Sequence, residues 1–166
     1  VVDYATLVSW AFVIEGDNAS NLLTGTNQAD RVYGYDSDDV LEGGSGEDVL
    51  TGGRGNDLLK GGAGRDAYVF NRGDGMDTIE ETVESGVGNI ITFGAGIARE
   101  DVSLTVEGQD LLVHYGQGDS VRITNYAPNG EHQGAVIDTL EFADGTDVTL
   151  REFRNSPPEV TGTIAD

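Results

Sequence analysis

Acidic and amide side chains recur at nine-residue intervals in the first half of the chain, and this series is the part of the sequence best suited to chemistry. Its members are Asn21, Asp30, Asp39, Asp48, Asp57 and Asp66. Carboxylate oxygens are preferred ligands of calcium, which accepts about six to eight oxygens in a flexible geometry. Magnesium demands a stricter octahedron, and zinc prefers nitrogen or sulfur ligands. The spacing therefore predicts a regular series of calcium sites.

The same period organises the residues around these side chains. The first position of six consecutive units is occupied by glycine, at Gly16, Gly25, Gly34, Gly43, Gly52 and Gly61. The eighth position is always apolar, with Leu23, Val32, Leu41, Leu50, Leu59 and Tyr68. A nine-residue period does not fit a helix, and glycine at this density disfavours one. We therefore expect a six-residue turn and a short strand in each unit, with two units forming one coil of an all-β, parallel stack.

Stacking of this kind brings the carboxylates of alternate units together. One coil above another places them about 5 Å apart, where bare carboxylates repel. A divalent cation between the coils turns the repulsion into attraction, and glycine lets the turn carbonyls point towards it. The eighth-position side chains form only a thin core, worth about 1.5–3 kcal/mol per residue before chain entropy is subtracted. The sequence thus predicts that calcium is needed to complete the fold.

Units four to six show the strongest pattern, as in the run from Gly43 to Leu50. This pattern resembles the calcium-binding nonapeptide repeat of RTX (repeats-in-toxin, haemolysin-type) proteins, over residues 16–79. The resemblance implies a right-handed parallel β-roll that binds about four or five Ca²⁺ ions. In that family a calcium is bound by the aspartate and the carbonyls of positions two and four of one unit. The aspartate and the carbonyls of positions one and three of the unit two later complete the site.

Carried over to this chain, the resemblance implies a specific set of ligands for each site. Asp30 and Asp48 would use the carbonyls of Thr26, Gln28, Gly43 and Ser45. Asp39 and Asp57 would use those of Tyr35, Ser37, Gly52 and Arg54, and Asp48 and Asp66 those of Gly44, Gly46, Gly61 and Ala63. A seventh unit, Arg72–Ile79, places Asp77 at position six, where it would pair with Asp57 through the carbonyls of Gly53, Gly55, Arg72 and Asp74. The alternative for this segment is a plain polar hairpin.

Two departures from the pattern affect the first three units. Asn21 stands where an aspartate belongs, so we expect its site with Asp39 to be weak or empty. Units one to three also lack glycine at positions two and four. Residues such as Gln28 and Tyr35 therefore occupy turns that prefer glycine.

The second half of the chain changes to alternating strands separated by turns. The predicted strands are 89–93, 102–106, 110–115, 120–126, 136–143 and 146–150. We expect an antiparallel β capping region that covers the open end of the roll. The stretch from Ile91 to Ile97 and the stretch from Phe142 to Thr146 resemble the haemolysin-type calcium-binding-related region. The predicted divisions are 1–14, an N-terminal strand or the end of a preceding domain; 15–79, the roll; 80–153, the cap; and 154–166, a linker.

Composition argues against several classes of partner. Thirty Asp and Glu residues oppose nine Lys and Arg, for a formal net charge of −21. This charge repels phosphate backbones and anionic lipids, so we expect no nucleic acid and no membrane insertion. The chain contains no cysteine, which excludes disulfides and thiolate metal sites.

The remaining chemical residues have simpler interpretations. His114 and His132 lack a partner at metal-ligand spacing, and Ser120 and Asp119 form no recognisable catalytic motif with them. The run Glu80-Glu81 with Glu84 is interpreted as a solvated edge, with additional calcium binding as the alternative. The stretch Leu7–Val13, with Trp10, is interpreted as an apolar strand that covers the first coil. An aromatic platform for a sugar is the alternative for Trp10.

The function that these features favour is a non-catalytic, calcium-dependent folding module of a secreted multidomain protein. Its partners would be calcium and the neighbouring domains of the parent chain, and the resemblance implies type I secretion. The alternative is a calcium-dependent carbohydrate- or ligand-binding module of a surface adhesin, with Tyr33, Tyr35 or Trp10 in contact with the ligand. No catalytic residue is predicted.

Overall fold

Short parallel strands account for most of the regular structure. The computed structural model describes residues 12–81, 88–126 and 137–155. In chain order the strands are β1 (Phe12–Glu15), β2 (Leu22–Thr24), β3 (Asp30–Asp36), β4 (Val40–Ser45), β5 (Val49–Arg54), β6 (Leu58–Ala63), β7 (Ala67–Phe70), β8 (Met76–Ile79), β9 (Asn89–Phe93), β10 (Ser103–Glu107), β11 (Asp110–His114), β12 (Ser120–Ile123), β13 (Ile137–Glu141) and β14 (Asp147–Thr149). A 3₁₀ turn spans Arg99–Asp101, and helix α1 spans Leu150–Asn155.

The strands form two seven-stranded sheets, and successive units of the repeat alternate between them. Sheet 1 has the order β1-β3-β5-β7-β9-β13-β14, and sheet 2 has the order β10-β11-β12-β8-β6-β4-β2. Each strand of the repeat pairs in parallel with the strand two units later, as Val32 with Leu50 and Leu41 with Leu59. The predicted parallel β-roll, with two units to each coil, is confirmed.

The core of the roll is a single file of apolar side chains from each sheet. Leu41, Leu50, Leu59 and Tyr68 are fully buried at the eighth position, and Leu23 of the first unit is only partly buried. The core thickens beyond the repeats, where the Tyr115 ring centroid lies 5.8 Å from that of Phe70 and 5.4 Å from that of Phe93. Most aromatic packing therefore lies at one end of the roll.

The capping region first continues the parallel sheets, which differs from the simple antiparallel meander expected. β9 pairs in parallel with β7, β13 in parallel with β9, and β12 in parallel with β8. The expected antiparallel strands follow at the end of each sheet, with β11 and β10 completing sheet 2 and β14 completing sheet 1. In each sheet, further parallel strands therefore lie between the repeats and the antiparallel strands that end the stack.

Arg72 connects the last unit of the repeat to this region. Its guanidinium donates hydrogen bonds to the carbonyl oxygen of Gly96 at 2.9 and 3.1 Å and to that of Tyr115 at 2.6 Å. It also forms an ion pair with Asp101 at 2.7 Å. One side chain therefore joins the turn before β8 to two loops of the cap.

Some sequence predictions fall on residues outside the described ranges. The strand expected around Trp10 and the loop with His132 are among them, although β1 begins at Phe12. The last predicted strand is shorter than expected, because α1 begins at Leu150. No helix in the described ranges is long and apolar enough to cross a membrane.

Candidate metal centre

The turns between strands have a backbone that few residues other than glycine adopt. Gly44, Gly46 and Gly53 have φ values of +110°, +131° and +100°, in the left-handed region. Tyr35 and Ser37 occupy the same positions in the third unit and have φ values of +84° and +80°. The glycine-deficient third unit therefore keeps the turn of the later units, at a conformational cost of about 1 kcal/mol or more per residue.

Close stacking of the turns explains why glycine is required. A Cβ atom placed on Gly53 would overlap the carbonyl of Tyr35, and one on Gly55 would overlap that of Ser37. A Cβ on Gly43 would lie 2.7 Å from the carbonyl oxygen of Gly61. Carbonyls from positions one, two and four of successive coils therefore crowd together along the turns, next to the aspartates.

The position-six side chains form two files, which we call ladder 1 and ladder 2. Ladder 1 stands at the start of the sheet 1 strands and consists of Asp30, Asp48, Asp66 and Asn89. Ladder 2 stands at the start of the sheet 2 strands and consists of Asn21, Asp39, Asp57 and Asp77.

One type of hydrogen bond repeats along both ladders. In each ladder, the Oδ1 atom of every member after the first accepts the backbone N–H of the member one coil earlier. In ladder 1 the bond joins the Asp30 nitrogen to Asp48 at 2.8 Å, Asp48 to Asp66 at 2.9 Å and Asp66 to Asn89 at 2.9 Å. In ladder 2 the distances are 2.7 Å from Asn21, 2.8 Å from Asp39 and 2.9 Å from Asp57. The aspartates expected to pair are therefore brought together, Asp77 included.

The second carboxylate oxygen of several ladder aspartates lacks an interaction partner. Five buried carboxylate oxygens have no hydrogen-bond partner in the described structure: Asp30 Oδ1, Asp39 Oδ2, Asp48 Oδ2, Asp57 Oδ2 and Asp66 Oδ2. All five residues are at most 2 % exposed. A buried carboxylate oxygen without a partner is strongly unfavourable, so each of them requires a positive group. Oxygen-only donors in a turn lined with carbonyls fit calcium.

Burial also raises the pKa values of these carboxyl groups. The pKa rises from 3.8 to about 6 for Asp57 and Asp66 and to about 7 for Asp77. Loss of water is the main cause. The backbone N–H that bonds to the carboxylate lowers the pKa, and repulsion from neighbouring carboxylates raises it further. The pKa values of Asp39 and Asp48 are raised for the same reasons. Without a counter-charge, the folded ladders therefore favour protonation.

The second unit departs from this arrangement. Its predicted ligands Thr26 and Gln28 do not have a positive φ, and the Thr26 carbonyl accepts the N–H of Ser45 at 3.1 Å. The Thr26 hydroxyl and N–H instead donate to Asp30 Oδ2. A buried side-chain oxygen, Gln28 Oε1, lacks a hydrogen-bond partner, as Asp30 Oδ1 does.

Asn89 is not among the predicted site residues. Glu81 belongs to the run Glu80-Glu81, interpreted from the sequence as a solvated edge with calcium binding as the alternative, and its burial contradicts the solvated edge for this residue. Asn89 ends ladder 1 at 4 % exposure, 23 residues after Asp66 rather than 18, and Glu81 is 7 % exposed beside Gly61. A signal for Asn89 exists in Asn89-Ile90-Ile91, which repeats the polar-x-apolar order of Asn21-Leu22-Leu23. In the described ranges no three His, Asp or Glu side chains converge on one point, so backbone carbonyls must supply part of any metal shell.

Comparison with known families agrees with this geometry. The model of the RTX calcium-binding nonapeptide repeat, which describes four copies, matches residues 15–50 and 42–77. Residues 15–77 are RTX calcium-binding repeats. Beyond them, the model of the haemolysin-type calcium binding protein related domain matches residues 110–150. Both resemblances inferred from the sequence are confirmed.

The chain was also compared with curated proteins and with solved structures. No curated protein matches this chain. A similar solved structure is the solution structure of the AlgE6R3 subunit from the Azotobacter vinelandii mannuronan C5-epimerase. The two are 26 % identical with a TM-score of 0.47, and the match covers 64 % of this chain and 71 % of the other.

Proposed function

We propose that this chain is a non-catalytic module that folds when it binds calcium and that serves a secreted, multidomain protein. The observation that carries the proposal is the set of five buried carboxylate oxygens without hydrogen-bond partners, arranged in two ladders. At neutral pH these groups oppose folding unless a cation offsets them. Calcium bound between the coils would supply that positive charge.

The rest of the chain supports dependence on a cation. The roll buries one apolar side chain per unit at the eighth position, and its core alone is small. The formal net charge of −21 adds repulsion over the whole molecule. Family matches cover the repeats and much of the cap, and both descriptions name calcium binding. We propose about four or five ions between the ladder residues.

The calcium concentrations inside and outside the cell determine where the module would fold. Extracellular calcium modules bind at about 10⁻⁴–10⁻³ M, well above cytosolic calcium. A chain of this kind would stay unfolded inside the cell and would fold outside it, which suits type I secretion. Once folded, the module would stabilise or present the neighbouring domains of its parent chain.

The proposal is tested by far-ultraviolet circular dichroism in chelator and in about 5 mM calcium, near the upper extracellular scale. We expect a largely unfolded spectrum in chelator and a β spectrum in calcium, and a poor response to magnesium at equal concentration. Identical spectra in chelator and calcium would contradict the proposal. Calorimetry on the same samples gives the number of ions.

One observation supports a second candidate, a ligand-binding surface on the roll. The rings of Tyr33 and Tyr35 stack with their centroids 6.5 Å apart, and Tyr35 is 45 % exposed. They line a groove of about 250 Å³ together with Arg54 and Asp74. Aromatic faces beside polar groups suit carbohydrate. A glycan-binding screen tests this with Tyr35→Gly, which removes the ring and suits the positive φ. Equal glycan binding by wild type and variant would contradict the role of Tyr35.

A further inference from the structure

The sixth unit, which begins at Gly61, contacts the next coil differently from the earlier units. At Gly16, Gly25, Gly34 and Gly43, the neighbouring coil presents the carbonyl oxygen of the first-position glycine two units later. At Gly61 a Cβ atom would instead meet the hydroxyl of Tyr68. The Gly61 N–H donates to this hydroxyl at 2.9 Å and to Glu81 Oε1 at 3.0 Å. Two side-chain oxygens therefore stand where the earlier coils present a backbone oxygen.

Asp66 faces the same glycine with an oxygen that has no hydrogen-bond partner. Asp66 is 0 % exposed, and its Oδ2 atom lies against Gly61. The Glu81 carboxylate is 7 % exposed and contacts the N–H of that glycine. Two buried carboxylates thus converge on one backbone position, an arrangement that repels unless a cation is shared.

Asn89 completes the group in the way that an aspartate does in the coils below. Its Oδ1 accepts the Asp66 N–H at 2.9 Å, just as the Oδ1 of Asp66 accepts the Asp48 N–H. An amide oxygen supplies a ligand without a charge. Glu81 supplies the negative charge that Asn89 lacks, so the junction keeps the two carboxylates found in the Asp–Asp pairs.

We propose that Asp66, Glu81 and Asn89 form an additional calcium site at the junction of the repeats and the cap. Gly62 and Gly64 lie on the same turn with φ values of +99° and +135°, as Gly44 and Gly46 do one coil earlier. Their carbonyls therefore belong to the ligand set. The oxygen-only donors select a hard cation over zinc. The site rests on the proposed function for its cation, but it recruits Glu81 and Asn89 from outside the nonapeptide repeats.

The experiment compares calcium stoichiometry in the full 166-residue chain by calorimetry and equilibrium dialysis. Glu81→Gln removes the junction charge. Glu80→Gln, the matched control, removes the adjacent glutamate, which is paired with Lys60 at 3.9 Å on the surface. We expect Glu81→Gln to bind one calcium fewer per chain than wild type and Glu80→Gln to bind the wild-type number. Equal numbers for the two variants would overturn the site.

A gain-of-charge variant covers the case in which Glu81→Gln does not fold. Asn89→Asp should keep the wild-type number of ions and bind one of them about tenfold more tightly, which is a gain of about 1.4 kcal/mol in binding free energy. Unchanged affinities in Asn89→Asp would overturn the site. A wild-type chain that binds no calcium would refute the proposed function itself. A wild type that folds with calcium, beside variants that match it, refutes only the junction site.

Discussion

Asp48 occupies the middle of ladder 1, and its replacement by alanine provides a sharp test of the paired sites. Its Oδ1 accepts the N–H of Asp30 at 2.8 Å, its own N–H donates to Asp66 at 2.9 Å, and its Oδ2 has no hydrogen-bond partner. In the proposed pairing Asp48 serves one calcium with Asp30 and another with Asp66. Asp77, at the end of ladder 2, serves only the site with Asp57.

The size of the effect follows from linkage. At a calcium concentration of about 100 Kd, each site contributes about 2.7 kcal/mol to folding, so two sites contribute about 5 kcal/mol. The unpaired Asp30 N–H adds about 1–3 kcal/mol. The total is comparable with the whole stability of a small domain, about 5–15 kcal/mol. We therefore expect Asp48→Ala to remain mostly unfolded at calcium concentrations that fold the wild type.

A calcium titration followed by circular dichroism measures the folding midpoint, and calorimetry measures the number of ions. Glu47→Ala is the matched control, because it removes an exposed acidic neighbour and leaves the ladder intact. In chelator, wild type and Asp48→Ala should both be largely unfolded, so the difference between them should appear only as calcium is added. The staggered pairing is refuted if Asp48→Ala loses no more calcium than Asp77→Ala.

Three further predictions follow from the ladders and the cap. Asn21→Asp should tighten the first site by adding a carboxylate beside Asp39, seen as a lower calcium midpoint; an unchanged midpoint contradicts this. In chelator, the stability from protonating Asp57 and Asp77 is fully present below about pH 3.8 and is lost as the pH rises through about 6–7. In excess calcium, acidification should instead weaken the fold, because protons compete for the carboxylates; equal pH slopes in the two solutions oppose this. Arg72→Ala should destabilise the cap by about 1–3 kcal/mol in urea unfolding, and wild-type stability would contradict the contacts described for Arg72.

The repeats could be predicted from the sequence because every unit has the same residue types at the same positions. Glycine at positions such as Gly52 permits close stacking, the aspartate follows five residues later, and the eighth residue points inward. Since each coil contacts only its neighbours, a local period is enough to predict the register of Leu41 with Leu59. The paired aspartates could therefore be located without a structure.

Pairings outside the repeats depend on contacts that no local pattern contains. An inserted segment separates Asn89 from Asp66, so the ladder continues at a spacing that the period does not predict. β12 is separated from its parallel partner β8 by β9 and by the β10–β11 hairpin, and the sequence of β12 looks like any alternating strand. Glu81 looks like an exposed charge in the sequence, but in the fold it is 7 % exposed and accepts the N–H of Gly61.

Because successive units alternate between the two sheets, the repeat can gain or lose units without disturbing the cap only in even numbers. Each strand pairs with the strand two units away, so a duplication of two units adds one whole coil of about 4.8 Å and lengthens both ladders by one step. A duplication of one unit would move β7 to the opposite sheet, away from its partner β9 in the cap. Proteins built on this plan can therefore gain or lose metal sites in pairs, while the cap remains unchanged.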